Sequence, residues 1–562
     1  MQIELDEVRR LTGPNLLWDK PGAIVDVFIA LEDPEPVVRA WQKWITILLE
    51  KFGWPDEQHT CRLYQGGASF AISAPVDALY TACELAELAW HCCAAELNNT
   101  EIPDVLKRIK ELQRELADEA NPRLLSLINE AQKHQVSCLI DDDDVSLGMG
   151  KSVNVWPATK LPSCDDIIWS QYQDVPLALV TGTNGKSTSV RLAAQIAQAA
   201  NISAGVTSTD FIRVGEEIID KGDYSGPGGA RILLRDKRTE MAFLEVARGG
   251  ILRRGLPVSR VDAALITNIA SDHLGQYGIN TLEQLAEAKF VVTKALNEHG
   301  ILVVNADNEL VVQQASKLDK TLCWFSKDEH NPLIQGQINN AGRAVFVRDS
   351  KLIYHDENGF EDIVEVNLIP MTFNGTALHN IENALGVVGL CKALNLPLFA
   401  IQQGLMEFAS NAQDNPGRGN LYSINGSSVF VDFAHNEHSV RAVVKMAKSF
   451  PAKRRIAMFG HAGDRSDLEI RDLTHAVADL DADLYVVSEV EKYLRGREFG
   501  DISKLVKHYL SQLDIDDKQI LNVAEPLDGV RKIMSYVEPG DVVLLLVLDQ
   551  REEVHNYLRK LT

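Results

Sequence analysis

Polar and apolar positions change rhythm twice along this chain. Up to about residue 135, short alternating runs (AIVDVFIAL, CRLYQGGASFAIS) mix with a long helical one. In that helical run Leu106, Ile109, Leu112 and Leu116 recur at helical spacing, with Pro103 near its start. Residues 136–174 lose the rhythm: DDDDVSLGMGKSVNVWPATKLPSCDD is rich in turn formers and charge and reads as a connector. From residue 175, strand-like runs (LALVTG, MAFLEVA, AALITNI, GILVVNAD) alternate with helical ones. That rhythm predicts a parallel sheet with helices on its faces. From Gln335 to Met371 the pattern shortens, as in RAVFVRDSKLIYH, and predicts an antiparallel insertion. After NPGRGN (Asn415 to Asn420) a second series follows in SVFVDFAHN, RRIAMFG, DADLYVVSE and DVVLLLVLD. The predicted chain is α/β: an N-terminal α+β domain over 1–135, a connector over 136–174, a central parallel-sheet domain over 175–414 and a further α/β domain over 415–562.

Bulk properties narrow the function classes. A chain of 562 residues exceeds one core, and 45% hydrophobic with 24% charged residues is ordinary for a globular protein. The net charge of −23 argues against a nucleic-acid partner, since phosphate-backbone binding needs clustered Lys and Arg. No apolar run approaches the ~20 residues that span a bilayer, so no membrane partner is expected. The start, MQIELDEVRR, lacks the basic-then-apolar pattern of a signal peptide. The eight cysteines are scattered, with Cys92 and Cys93 the only close pair, which fits reduced thiols in a cytoplasmic protein.

One junction carries chemistry. In LALVTGTNGKSTSVRLAAQIAQAA, Leu177 to Ala200, an apolar strand runs into two glycines, a lysine and a helix. The common phosphate loop is GxxxxGK[ST]; here only Thr183 and Asn184 separate Gly182 from Gly185. The short form still suits phosphate, because glycines let backbone N–H groups close on an anion and the helix N-terminus adds positive potential. Lys186 would lie on the β- and γ-phosphates and the Ser187 hydroxyl on Mg²⁺, with Thr188 next to them. On this loop alone, a glycine turn that merely packs helix on strand stays open. A second GMGK, Gly148 to Lys151, has no apolar strand leading into it and is followed by Pro157.

Three further positions bear on the loop. Glu245 ends the strand MAFLEVA, at the carboxyl edge of a parallel sheet where ligands bind. ITNIASDHLGQYG places Ser271, Asp272 and His273 at the same edge, where His273 becomes a metal-ligand candidate. In TLEQLAEAKFVVTKALNEH, Leu282, Leu285, Val292 and Leu296 form an apolar stripe whose gap is filled by Lys289. A lysine on a buried face must snorkel, lose its proton or be chemically altered; a carbamate would make it a metal-binding anion.

This combination resembles the Mur ligase family, ATP-dependent amide ligases whose short loop has the form GTNGK[ST], together with folylpolyglutamate synthetase. The resemblance runs from about Val175 to the C-terminus. It implies a P-loop-type ATPase domain followed by a Rossmann-like C-terminal domain. It implies ATP held by Gly182, Thr183, Asn184, Gly185, Lys186, Ser187 and Thr188, and Mg²⁺, two ions by this resemblance, held by Ser187, Glu245, His273 and a carbamylated Lys289. HNIEN, with Asn380 and Asn383 one helical turn apart, matches the stretch that contacts the nucleotide in the family. NPGRGN would bring Arg418 to the ATP phosphates. VDFAHN matches the family's DYAHNP and would place Asp432 and His435 near ribose and phosphates, with Phe433 for tyrosine and Glu437 for proline. GHAGDRSD, Gly460 to Asp467, resembles the family's GGDRD-like loop. The implied catalytic set is Lys186, Lys289, His273 and Arg418.

GDYSGPGGARILLRDKRTEMAFLEVARGGILRRGL and LRGREFGDI look like the ligase half of cyanophycin synthetases, and VRRLTGPNLLWDKPGAIVDVFIAL like their first domain. Those enzymes carry an ATP-grasp domain between these parts. Here there is no room for one, and LGMGK stands where its remnant would be. The resemblance therefore implies a carboxylate–amine ligase acting on small amino acids or peptides, with acceptor and amine unassigned. Arg248, Arg253 and Arg254 offer a positive rim for carboxylates, a homo-oligomer remains open, and the alternatives are a non-catalytic nucleotide-binding scaffold or a P-loop kinase or NTPase.

Overall fold

The computed structural model describes residues 3–562. Its first domain is a four-stranded antiparallel sheet in the order Ile3–Leu11, Gly22–Ile29, Gly67–Ser73, His59–Tyr64. Helices Glu35–Phe52 and Leu79–Asn98 supply its core with Trp41, Leu48, Leu85 and Ala89. The long helical run breaks in two. Asp104 caps Val105–Glu119 and Asn121 caps Pro122–Lys133, because Asn121–Pro122 ends one helix and starts the next. Leu106 lies 63% exposed, while Ile109 and Leu112 are buried.

The connector is folded. Cys138–Ile140, Asp144–Leu147 and Asn154–Pro157 form a three-stranded sheet, and its small core includes Leu124, Leu127 and Ala131 of the preceding helix. GMGK is no phosphate loop. Gly150, at φ 55°, opens a 3₁₀ turn, and a Cβ there would lie 1.9 Å from the Thr239 carbonyl oxygen. It is a packing point between connector and central domain.

The central sheet has eleven strands. Seven are parallel, in the order Ala204–Thr207, Met241–Glu245, Leu177–Thr181, Val261–Ile266, Leu296–Asn305, Thr321–Ser326, Arg343–Arg348. Both faces are covered, so the middle strands are apolar throughout. Leu177 and Leu179 enter one core, with Leu233, Ile251 and Leu285; Ala178 and Val180 enter the other, with Val190, Leu385 and Ile401. Two antiparallel strands extend each edge. The expected antiparallel insertion is thus an extension of the main sheet, and Gln335 lies in helix Pro332–Asn339. The predicted helix around Lys289 is shorter than its sequence pattern. A capping box of Thr281 and Gln284 starts helix Leu282–Phe290, Val291–Ala295 tightens to 3₁₀, and Leu296 begins a strand. The run Val291–Val292–Thr293 is β-branched and propagates an α-helix poorly.

The C-terminal sheet runs Asn420–Ile424, Ser427–Asp432, Asp541–Leu546, Arg454–Phe459, Leu484–Ser488, Ile520–Val523, all parallel except the first hairpin. The carboxyl ends of its strands and of the central strands meet at one cleft.

Candidate active site between two sheets

A cavity of about 640 Å³ lies at that meeting point, within the range of small-molecule sites. It is lined by residues of both domains, including Lys186, Glu245, Lys289, Asn383, Arg418 and His435.

The short loop forms because glycine alone fits two of its positions. Gly182 has φ 145°, and a Cβ there would meet Thr267 Oγ1 at 1.9 Å; Gly185 has φ 88°, and its Cβ would meet Asn383 Oδ1 at 2.1 Å. The neighbouring strand end pins the loop. Thr183 N–H donates to the Asn268 carbonyl at 2.8 Å, Asn184 N–H to Asn268 Oδ1 at 3.0 Å, and Thr267 Oγ1 to the Asn184 carbonyl at 2.6 Å. No side chain caps helix Lys186–Ala199, so its first N–H groups are left for an anion. Lys186 Nζ folds back to the Thr183 carbonyl at 2.8 Å.

Glu245 is 2% exposed. Its Oε2 accepts from Thr209 N–H at 3.3 Å, and its Oε1 is buried with no partner. Burial raises its carboxyl above the ordinary value, against the pull of Lys186 and Ser187. Ser187 Oγ and Thr209 Oγ1 are 3.3 Å apart. A buried orphan carboxylate oxygen beside a hydroxyl pair fits a divalent cation, which would satisfy it. Lys289 is 4% exposed and does not snorkel: its Nζ donates to the Gly182 carbonyl at 2.7 Å. Burial, and then the charge of Lys186, push its amine well below the usual lysine value.

His273 groups with Asp272 and His435, their ligand atoms all within 4.8 Å of one another; Glu245 is not in that group. Burial lowers both imidazoles, His435 to about 4, so both present lone pairs at neutral pH. Arg465 Nη2 reaches across the domain boundary, 3.1 Å from Asp272 Oδ1 and 3.2 Å from His273 Nε2. A second bridge is a reciprocal amide pair: Asn184 Nδ2 donates to Asn436 Oδ1 at 3.3 Å, and Asn436 Nδ2 to Asn184 Oδ1 at 3.0 Å.

Asn380 Nδ2 donates to the Met371 carbonyl at 2.8 Å, and Asn383 Nδ2 to Asn380 Oδ1 at 3.2 Å, which orients Asn383 against the loop. Asp432 accepts from Gly419 N–H at 2.6 Å and Ala434 N–H at 2.7 Å, and burial raises its carboxyl to about 6. Arg418 lies over the Phe433 ring at 4.8 Å.

Every residue expected to bind nucleotide or metal lines this cavity except Gly182, whose carbonyl instead holds Lys289. Of the proposed positive rim only Arg248 lines it; Arg253 and Arg254 do not. Asp210 and Arg551 line the cavity and the buried Arg191 backs Asp210; the sequence offers no signal for any of the three. Nothing in a local pattern joins residues 191, 210 and 551.

Residues 180–391 match the model of the Mur ligase middle domain, and residues 417–546 that of the Mur ligase glutamate ligase domain. The chain belongs to the Mur ligase family through these two domains. The first half of the match carries the short loop, Glu245, His273 and Lys289; the second carries Arg418, Asp432 and His435. Cyanophycin synthetase from Synechocystis sp. is 36% identical over 332 residues, 59% of this chain and 38% of that protein. Cyanophycin synthetase from Nostoc sp. is 30% identical over 410 residues, 72% and 45% of the two chains. The chain thus spans less than half the length of these relatives. Among solved structures, E. coli FolC in complex with DHPP and ADP has the same fold, with a TM-score of 0.51, 18% identity, and coverage of 68% of this chain and 88% of that one. No helix among the described residues is long and apolar enough to cross a membrane, and all eight cysteines are unpaired.

Proposed function

We propose that this Mur ligase-family chain is an ATP-dependent amide ligase. It joins an amino acid or other small amine to a carboxylate through an acyl phosphate, releasing ADP and phosphate. The observation that carries the reading is convergence across a domain boundary. An uncapped helix start, Lys186, Ser187, Glu245 and Lys289 from one domain share a cavity with Arg418, Asp432 and His435 from the other.

A carboxylate is a poor acyl donor, so it needs a leaving group before an amine can displace it. In this site the loop N–H groups and Lys186 bind the triphosphate, and Arg418 balances its charge. The acceptor carboxylate oxygen attacks the terminal phosphorus, and the bond from that phosphorus to the ADP oxygen breaks. The amine nitrogen then attacks the acyl carbon; the carbon–oxygen bond to phosphate breaks, and the amine proton passes to a neutral acceptor group or water. Ser187, Glu245 and His273 would hold a divalent cation, Mg²⁺ in this reading, and a carbamate on Lys289 would hold a second one. Bound there, the cations would supply charge neutralisation. Asp272 and Arg465 hold His273 in place, and the Asn184–Asn436 pair keeps the two domains closed so that water is excluded from the acyl phosphate. Arg248 supplies positive charge for a substrate carboxylate. The resemblance to cyanophycin synthetases suggests an amino acid such as arginine as amine, joined to an acidic side chain or small peptide.

The test is ADP release from Mg²⁺-ATP across a panel of amino acids and dipeptides crossed with acidic acceptors, with products weighed by mass spectrometry. ADP that forms only with one pair, together with a product one water lighter than their sum, supports the ligase. Lys186→Ala should abolish ADP formation. Phosphate release that needs no amine, or near-normal turnover by Lys186→Ala, rejects it.

A further inference from the structure

Arg551 has no part in the reaction above, yet it lines the same cavity. It opens the last helix, Arg551–Arg559. Its guanidinium carbon lies 4.5 Å from the centre of the Phe433 ring, and that of Arg418 lies 4.8 Å from it. Arg551 Nη1 donates to Asp210 Oδ1 at 2.9 Å. The other oxygen of Asp210 is bonded to Arg191 and lies 3.9 Å from Arg418 Nη2. Three guanidiniums therefore converge on one carboxylate.

Arg191 is fully buried, donates to Asn415 Oδ1 at 2.9 Å, keeps its Nε without a partner, and pairs in charge with Asp210, so Asp210 is committed to it. Arg418 and Arg551 remain: the buried carboxyls of Asp432 and Glu245 act on Arg418, and among the described residues Arg551 has an ion pair with Asp210 alone. Asp210 directly follows Thr209, whose hydroxyl faces that of Ser187. The two guanidiniums thus sit beside the hydroxyl that the phosphate loop presents. Guanidiniums gathered in a half-buried cleft are costly unless an anion joins them. Their planar forks match phosphate oxygens, and Arg551, whose side chain is 33% exposed, spends one of five donors on Asp210.

We propose that Arg551 joins Arg418 as a second guanidinium on the terminal phosphate of ATP, with Asp210 and Phe433 holding the pair in position. The assignment rests on the ATP-ligase reading. ADP lacks the phosphate in question, so Arg551 distinguishes ATP from ADP. A residue that only clamps the C-terminal helix to the central domain through Asp210 would not.

The full chain is titrated calorimetrically with MgATP and with MgADP, without amine or acceptor, as wild type, Arg551→Gln and Arg551→Lys. Charge-assisted hydrogen bonds of this kind predict that Arg551→Gln weakens MgATP about tenfold or more. MgADP should weaken by less than about threefold, and Arg551→Lys should recover part of the loss. Equal weakening of both nucleotides, with or without a fall in Tm measured without nucleotide, assigns Arg551 to a domain clamp and overturns the proposal; so does no change in either. Should Arg551→Gln not fold, the ATP-to-ADP ratio of Arg551→Lys decides. A wild type that binds neither nucleotide sinks the ATP reading and this inference together. An unchanged ratio in a protein that binds both sinks only the inference.

Discussion

Replacing Gly185 by alanine tests whether the short loop is held by the geometry described. The added Cβ would lie 2.1 Å from Asn383 Oδ1 and 3.1 Å from its Cγ, in a residue whose φ is 88°. Left-handed backbone costs a non-glycine residue roughly 1–2 kcal/mol. Asn383 must also swing away and give up its bond to Asn380, 3.2 Å long, at about 0.5–1.5 kcal/mol. The free protein escapes most of this by letting the loop relax, whereas nucleotide binding must restore it. The cost therefore falls on affinity: about 2–3 kcal/mol, or roughly 30- to 150-fold in the Kd for MgATP. Calorimetric titration measures it. The cause is isolated by a double-mutant cycle with Asn383→Ala, which removes the clashing atom. The pair should be less impaired than the sum of the singles, with a coupling of about 0.5–1.5 kcal/mol. Wild-type affinity in Gly185→Ala, or strict additivity in the cycle, would refute the packing argument.

Two other variants probe buried charge. Asp432 is 7% exposed and burial raises its carboxyl from 3.8 to about 6, so the native state favours its protonated form. The stability this contributes is full below about pH 4 and lost as pH rises through about 6. Relative to Asp432→Asn, wild type should therefore lose on the order of 3 kcal/mol between pH 4 and 7, read from denaturant midpoints; a flat or rising difference refutes it. Lys289→Met keeps the volume and removes a desolvated amine with one hydrogen bond, so stability should move by no more than about 1–2 kcal/mol while amide formation falls at least about 100-fold. In ¹³C-bicarbonate the wild type, not the variant, should show a carbamate carbon resonance, because a lysine kept neutral by burial is the form that reacts with CO₂.

What the sequence determined by itself was local or periodic. Buried parallel strands read as apolar runs, and the loop between Thr181 and Lys186 reads as a phosphate cradle because strand, glycine turn and helix are contiguous. Lys289 reads as anomalous because helical periodicity exposes a charge on an apolar stripe. Elements were misread where local pattern is ambiguous. A β-branched run ended the Lys289 helix early, and the polar connector buries a small core because helix Pro122–Lys133 joins it. The tertiary structure alone decided the pairings across the cleft. Asn184 meets Asn436, Arg465 meets Asp272 and His273, and Arg551 meets Asp210. These partners lie from 192 to 341 residues apart. Charge complementarity at such separations is set by how two sheets present their carboxyl ends to each other, and no periodicity along the chain encodes it.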